Sequence, residues 1–191
     1  VSVLEIVELG HPVLRERARE VTAAELASPE IQTLIDDMIE TMRAAGGAGL
    51  AANQVGRALR IAVAEVDHNP RYPYKPPIPL TVFVNPVLEP LDDETVLINE
   101  GCLSVPDIRG ELPRWVRVEV RYLDREGVPH AERKVGLTAG TFQHEVDHLD
   151  GILFLDRVED TTTLSTWVQF ERFGRDEFTA RITEFTERVG S

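Results

Sequence analysis

His144, Glu145 and His148, within Gln143-His144-Glu145-Val146-Asp147-His148, are the residues of this 191-residue chain whose types and spacing could do chemistry. Two histidines four positions apart share one face of an α-helix about one turn from each other, so two imidazole nitrogens can reach one ion. At about 100° per residue, Glu145 falls beside that pair, close enough to act on a metal-bound water without entering the coordination sphere. The chemistry implied is metal-dependent hydrolysis. A bound divalent ion lowers the pKa of its water to about 7, and the glutamate can accept the first proton and later return one to the leaving group. Lone histidines are usually surface or satisfied core residues, and His11, His68 and His130 are read that way.

An open catalytic site wants three protein ligands plus water. In H-E-x-x-H zinc proteases the third is a histidine in H-E-x-x-H-x-x-G-x-x-H or a glutamate further along. The chain has Gly151 where that longer pattern wants glycine, but Phe154 where it wants histidine. Glu159, Glu171 and Glu177 remain available by spacing, and so does Cys102, the only cysteine. A lone cysteine is more often a small buried hydrophobe. Here it sits in Glu100-Gly101-Cys102-Leu103-Ser104, after a strand candidate and beside a glycine that permits close approach.

The elements that must hold these residues follow from periodicity. The segment from Leu137 to Asp150 reads as a helix ended by Gly151, with Phe142, Val146 and Leu149 opposite the histidines and Leu137 and Thr141 on the histidine side. Such a helix should be buried on both faces, with its polar side lining a cavity. Ser28-Pro29 starts another, carrying Ile31, Leu34, Ile35, Met38, Ile39 and Met42 until Gly46-Gly47. A last one runs from about Asp176 to Val189 with Phe178, Ile182, Phe185 and Val189 in a stripe. Leu59–Val66, Thr81–Val84, Thr95–Ile98 and Trp115–Tyr122 are strand candidates, the last alternating Val116, Val118, Val120 and Tyr122 with charged residues before Asp124–Gly127 turns it back. Asp67 to Pro79 holds five prolines and reads as a stiff surface loop. Strands in hairpins predict an α+β fold: antiparallel β-sheets around a central metal-binding helix, with N-terminal and C-terminal helices.

Length and 42% hydrophobic composition predict a single domain over 1–191, with 161–191 a C-terminal helical extension. A net charge of −13 argues against stable nucleic acid or anionic membrane binding. No apolar stretch reaches the roughly 18 residues of a membrane helix, and no signal peptide is evident, so a cytoplasmic protein is expected.

Three segments, Gly47-Ala48-Gly49-Leu50-Ala51-Ala52-Asn53-Gln54, Glu100-Gly101-Cys102-Leu103-Ser104 and Gln143-His144-Glu145-Val146-Asp147-His148, resemble the three motifs of peptide deformylases, in that family's order. The resemblance runs from about Leu4 to Arg157. It implies hydrolysis of the N-formyl group on the initiator methionine of new polypeptides, releasing formate. Cys102 then joins His144 and His148 as metal ligand, Glu145 is acid and base, and Gln54 and the Leu103 N–H stabilise the oxyanion. Fe2+ is implied as the working ion, with Zn2+, Ni2+ or Co2+ as substitutes. Leu137, Gly140 and Thr141 are expected in the methionine pocket, with Ala48, Gly49 and Gly101 along the peptide backbone. By the same resemblance Arg109 lies where the substrate's far end passes, and Glu100 pairs with Arg114 to brace the metal loop. Asn53 stands where many members carry proline or threonine, Gly140 and Thr141 replace bulkier residues, and the proline-rich loop looks longer than in compact members. Formyl-methionyl nascent chains are the expected partners. A transient ribosome contact would have to do without a basic tail, since 161–191 carries four arginines and five acidic residues.

Overall fold

A computed structural model describes residues 1–67 and 73–190. Part of the proline-rich segment, including His68, lies outside the described residues. The chain enters through a short helix, α1 (Ala23–Leu26), closed by a capping box between Thr22 and Glu25. Ser28 caps α2 (Pro29–Ala44), its hydroxyl accepting from the Ile31 N–H at 3.3 Å. The buried face of α2, from Ile31 to Met42, packs on β1 (Gly49–Ala51) and β2 (Ile61–Val66).

The strands that follow are β3 (Ile78–Pro90), β4 (Thr95–Cys102), β5 (Val105–Trp115), β6 (Arg117–Leu123), β7 (Pro129–Val135) and the two-residue β8 (Ser165–Thr166). They form a five-stranded sheet, β1-β2-β3-β6-β7, and a three-stranded one, β4-β5-β8, every pairing antiparallel. The antiparallel α+β expectation is therefore met.

Between the sheets lies α3 (Gly136–Leu149), against β1, β2, β3, β6 and β7 on one side and β5 on the other. All of its residues but His144 are buried. Phe142 stacks on Phe83 of β3 with centroids 4.9 Å apart, and Val146 and Leu149 join the same core. Gly151, at φ +75°, ends the helix in the left-handed conformation that favours glycine.

Several boundaries differ from the periodicity. The expected strand at Thr81–Val84 runs on through Pro86 to Pro90. Asn85 takes φ +50° and the register shifts between Val84 and Val87, so the proline sits in a bulge rather than in the ladder. Val105–Trp115, not expected as a strand, is the whole partner of β4. Its prolines and glycine mask the β pattern that pairing supplies. Trp115 ends this strand instead of starting the next. After β8 come α4 (Trp167–Gln169), a π-helical turn (Phe170–Gly174) and α5 (Arg175–Val189). Phe178, Ile182 and Phe185 of α5 pack on Ile98, Val116 and Leu137, which resolves the stripe as core rather than an open face.

Candidate metal centre

The central helix and the end of β4 bring three donors together. Cys102 closes β4, where the register slips between Gly101 and Cys102 so that Cys102 faces Val105 across a tight turn. That slip turns the thiol toward α3, where Sγ lies 3.2 Å from His148 Nε2. One ligand atom each from Cys102, His144 and His148 lie within 4.8 Å of one another. The two imidazoles meet at 72° with centroids 4.9 Å apart, as the four-residue helical spacing requires.

The imidazoles are held differently. His144 Nδ1 bonds Glu100 Oε2 at 2.9 Å, leaving its other nitrogen for the cluster. Burial opposes charge on His144, but hydrogen bonds to Cys102 and Glu100 raise its pKa well above the ordinary value. Burial, then repulsion from His144 and Arg114, pushes His148 well below it, which favours the neutral ring a metal ion needs. His148 Nδ1 and Glu145 Oε2 are buried polar atoms with no partner among the described residues. A sulfur and two ring nitrogens within 4.8 Å of one another, with Glu145 lining the same cavity, fit a divalent ion.

Behind the cluster runs a buried ionic chain. Arg114 donates to both oxygens of Glu100, at 2.8 and 2.9 Å, and to Asp147 Oδ2 at 2.6 Å. Asp147 also accepts two 2.6 Å bonds from Arg157. Burial works against the Glu100 charge, yet Arg114 and then His144 hold its pKa far below the carboxylate range. The Glu100–Arg114 pairing expected from the resemblance is present, while Asp147 and Arg157 were not singled out. Their roles depend on the chain folding back after Gly151, which no local pattern announces.

Glu145 is buried, and desolvation raises its pKa to about 7. Gly49 makes room for it: a Cβ at position 49 would lie 2.3 Å from Glu145 Oε1. Gln54 is oriented by the Ala51 N–H, which donates to Oε1 at 2.9 Å. Its Nε2 therefore faces Ser104 Oγ at 3.2 Å and Cys102 Sγ at 3.6 Å.

One cavity touches every site residue named from the sequence except His148 and Arg114, which lie behind it. Arg109 lines it too, but is only 1% exposed. Its guanidinium donates to Asn99 Oδ1 and the Asn99 carbonyl and sits in the corner between two tilted rings, 4.4 Å from Trp167 and 4.7 Å from Phe170. Sequence reasoning missed this C-terminal clamp, and missed Tyr74 and Lys75, which also line the cavity. Burial lowers the Lys75 pKa to about 8. His11 caps a turn at Pro12–Arg15 and His130 pairs with Asp124, away from the cluster.

The sequence pattern of the polypeptide deformylase family matches residues 3–163. Peptide deformylase 1 of Nitrosomonas europaea is 41% identical over 81% of this chain and 87% of its own length. Peptide deformylase 2 of a Nostoc species is 42% identical over 89% and 94%. Among solved structures, the Met-Ala-Ser-bound class I type b peptide deformylase of Acinetobacter baumannii superposes with a TM-score of 0.79 at 41% identity, covering 82% of this chain and 98% of that one. A match over most of the length, joined to a Cys-His-His cluster at the foot of one central helix, places this chain in the polypeptide deformylase family.

Proposed function

We propose that this chain carries out the family's reaction, metal-dependent removal of the N-formyl group from newly made polypeptides, with Cys102, His144 and His148 holding one divalent ion. The observation that carries this assignment is the convergence of those three ligand atoms within 4.8 Å, with Glu145 and Gln54 beside them. Bound there, the ion would supply Lewis acidity and make water a nucleophile near neutral pH. Glu145, near neutrality in its own pKa, takes the proton of the attacking water on its carboxylate and delivers it to the amine nitrogen as the C–N bond breaks. Gln54 Nε2 and the Leu103 N–H donate to the oxyanion on the former formyl carbon. Formate and a free N-terminus leave.

Ala48, Gly49 and Gly101 lie along the peptide backbone, and Leu137, Gly140 and Thr141 receive the methionine side chain. Arg109 serves the far end of the substrate from beneath Trp167 and Phe170. Fe2+ is the working ion, with Zn2+, Ni2+ or Co2+ able to replace it, as thiolate and imidazole ligands allow. The enzyme acts in the cytoplasm on formyl-methionyl nascent chains, and any ribosome contact is transient. No helix among the described residues is long and apolar enough to cross a membrane. The zinc endopeptidase alternative loses support because Cys102, and none of Glu159, Glu171 or Glu177, joins the two histidines among the described residues.

The test is anaerobic formate release from a formyl-methionyl peptide, with metal analysis on the same sample. Activity with about one metal per chain is expected, and Cys102→Ala should lose both. Metal and peptidase activity persisting in Cys102→Ala would sink the assignment. Gly49→Ala should lower kcat/KM by about 10², because its Cβ displaces the Glu145 carboxylate by roughly an ångström.

A further inference from the structure

The C-terminal segment reaches the metal loop through one side chain. β8 pairs with β5 at Ile108↔Thr166 and Arg109↔Ser165, and the next residue, Trp167, donates its backbone N–H to Asp107 Oδ1 at 3.3 Å. These contacts set the Trp167 ring 4.4 Å from the Arg109 guanidinium, with Phe170 at 4.7 Å. The same guanidinium lies along the last residues of β4 before Cys102. Its Nε donates to Asn99 Oδ1 at 2.8 Å and Nη2 to the Asn99 carbonyl at 2.9 Å. Gly101 is the register partner of Arg109 and, lacking a side chain, lets it fold across: a Cβ there would stand 3.2 Å from Nη1 and 3.4 Å from Cγ. Arg109 therefore ties residues 99 and 101 to the C-terminal rings, one position short of the thiol.

Hydrogen bonds alone do not hold this arrangement. Nη1 is buried without an acceptor among the described residues, a cost that water would relieve. The rings offset part of the cation's lost hydration and keep water away from it. Without the Trp167 ring, water reaches Nη1 and the guanidinium turns outward, loosening Gly101 and with it Cys102 and the Leu103 N–H. We propose that Trp167 is a positioning residue for the metal loop, acting through Arg109 to keep Cys102 Sγ in place beside His144 and His148. The inference rests on the reading of Cys102 as a metal ligand and adds to it a dependence of that site on the C-terminal segment.

The parent, Trp167→Ala, Trp167→Leu and Trp167→Phe are loaded anaerobically with Co2+ and titrated with a competing chelator while the thiolate-to-cobalt absorption is followed. Trp167→Ala and Trp167→Leu should bind Co2+ about tenfold more weakly, the low end for a residue that supports a ligand from behind, and their thiolate band should shift. Trp167→Phe keeps a ring face for the cation and should stay within about twofold of the parent. On an Arg109→Met background, Trp167→Ala should cost nothing further, because its route to the loop is gone. With saturating metal and formyl-Met-Ala-Ser, Trp167→Ala should lower kcat more than it raises KM. Affinity and band unchanged in Trp167→Ala and Trp167→Leu, or a loss that persists in full on Arg109→Met, overturns the proposal. So does a rise in KM confined to longer peptides with metal affinity intact, which would give the ring to the substrate's far end instead. A parent that binds no Co2+ overturns the metal-site assignment, and the proposal falls with it. A parent that binds Co2+ but releases no formate overturns only the deformylase reading, and the chelator titration still decides the role of Trp167.

Discussion

Glu145→Ala should retain about one metal per chain while formate release falls by at least about 10² to 10⁴, the usual contribution of a positioned acid–base group. The two effects separate because Glu145 stands outside the Cys102, His144 and His148 ligand set. Folding should survive the change. Burial raises the carboxyl to about 7, so its charged form is disfavoured in the folded protein. A carboxyl whose folded pKa is raised costs stability once pH exceeds its unfolded value, and removing it relieves that cost. The metal-free variant should therefore unfold no earlier than the metal-free parent at pH 8, by thermal melting. Metal lost together with activity would mean that Glu145 is a ligand, and activity retained with metal would remove it from the mechanism.

The largest stability effect is expected from Arg114→Ala. Arg114 is 2% exposed and neutralises two buried carboxylates on different elements, Glu100 on β4 and Asp147 on α3. Replacing such a pair by apolar residues can be neutral, but deleting one partner strands the others, at about 3–5 kcal/mol. Arg157 still serves Asp147 and His144 still touches Glu100, which favours the lower end of that range. Released from Arg114, Glu100 holds the His144 ring less firmly, and metal affinity should drop about 10- to 100-fold. Urea denaturation and a competitive chelator titration measure the two losses. A stability change below about 1 kcal/mol would show that the ionic chain does not brace the metal loop.

Much of the centre was legible because its chemistry is local. Two histidines and a glutamate on one helix form a geometric unit wherever that helix lies, so His144, Glu145 and His148 needed no tertiary information. The α2 and α3 boundaries came within about a residue, since Ser28-Pro29 and Gly151 act on adjacent backbone. Strand β5 escaped notice because its prolines and glycine hide alternation, and its identity comes from pairing with β4. The π-helical turn at Phe170–Gly174 escaped for a related reason. Its Phe170 packs against Arg109, far away in sequence, a contact that no helical repeat announces.

By itself, then, the sequence determined that a helix would present two imidazoles and a carboxylate to one ion, because i and i+4 are neighbours on any helix. Residue spacing left the third corner open between Cys102 and several glutamates, and family resemblance was needed to choose. Tertiary structure decided the rest. A three-residue register slip at the end of β4 aims Cys102 at His148, Gly49 clears the space Glu145 occupies, and Arg114 joins β4 to α3 through two carboxylates. It also delivered Lys75 to Thr141 across 66 positions of chain. These contacts join segments far apart in sequence, and they exist only once the two sheets have closed over the central helix.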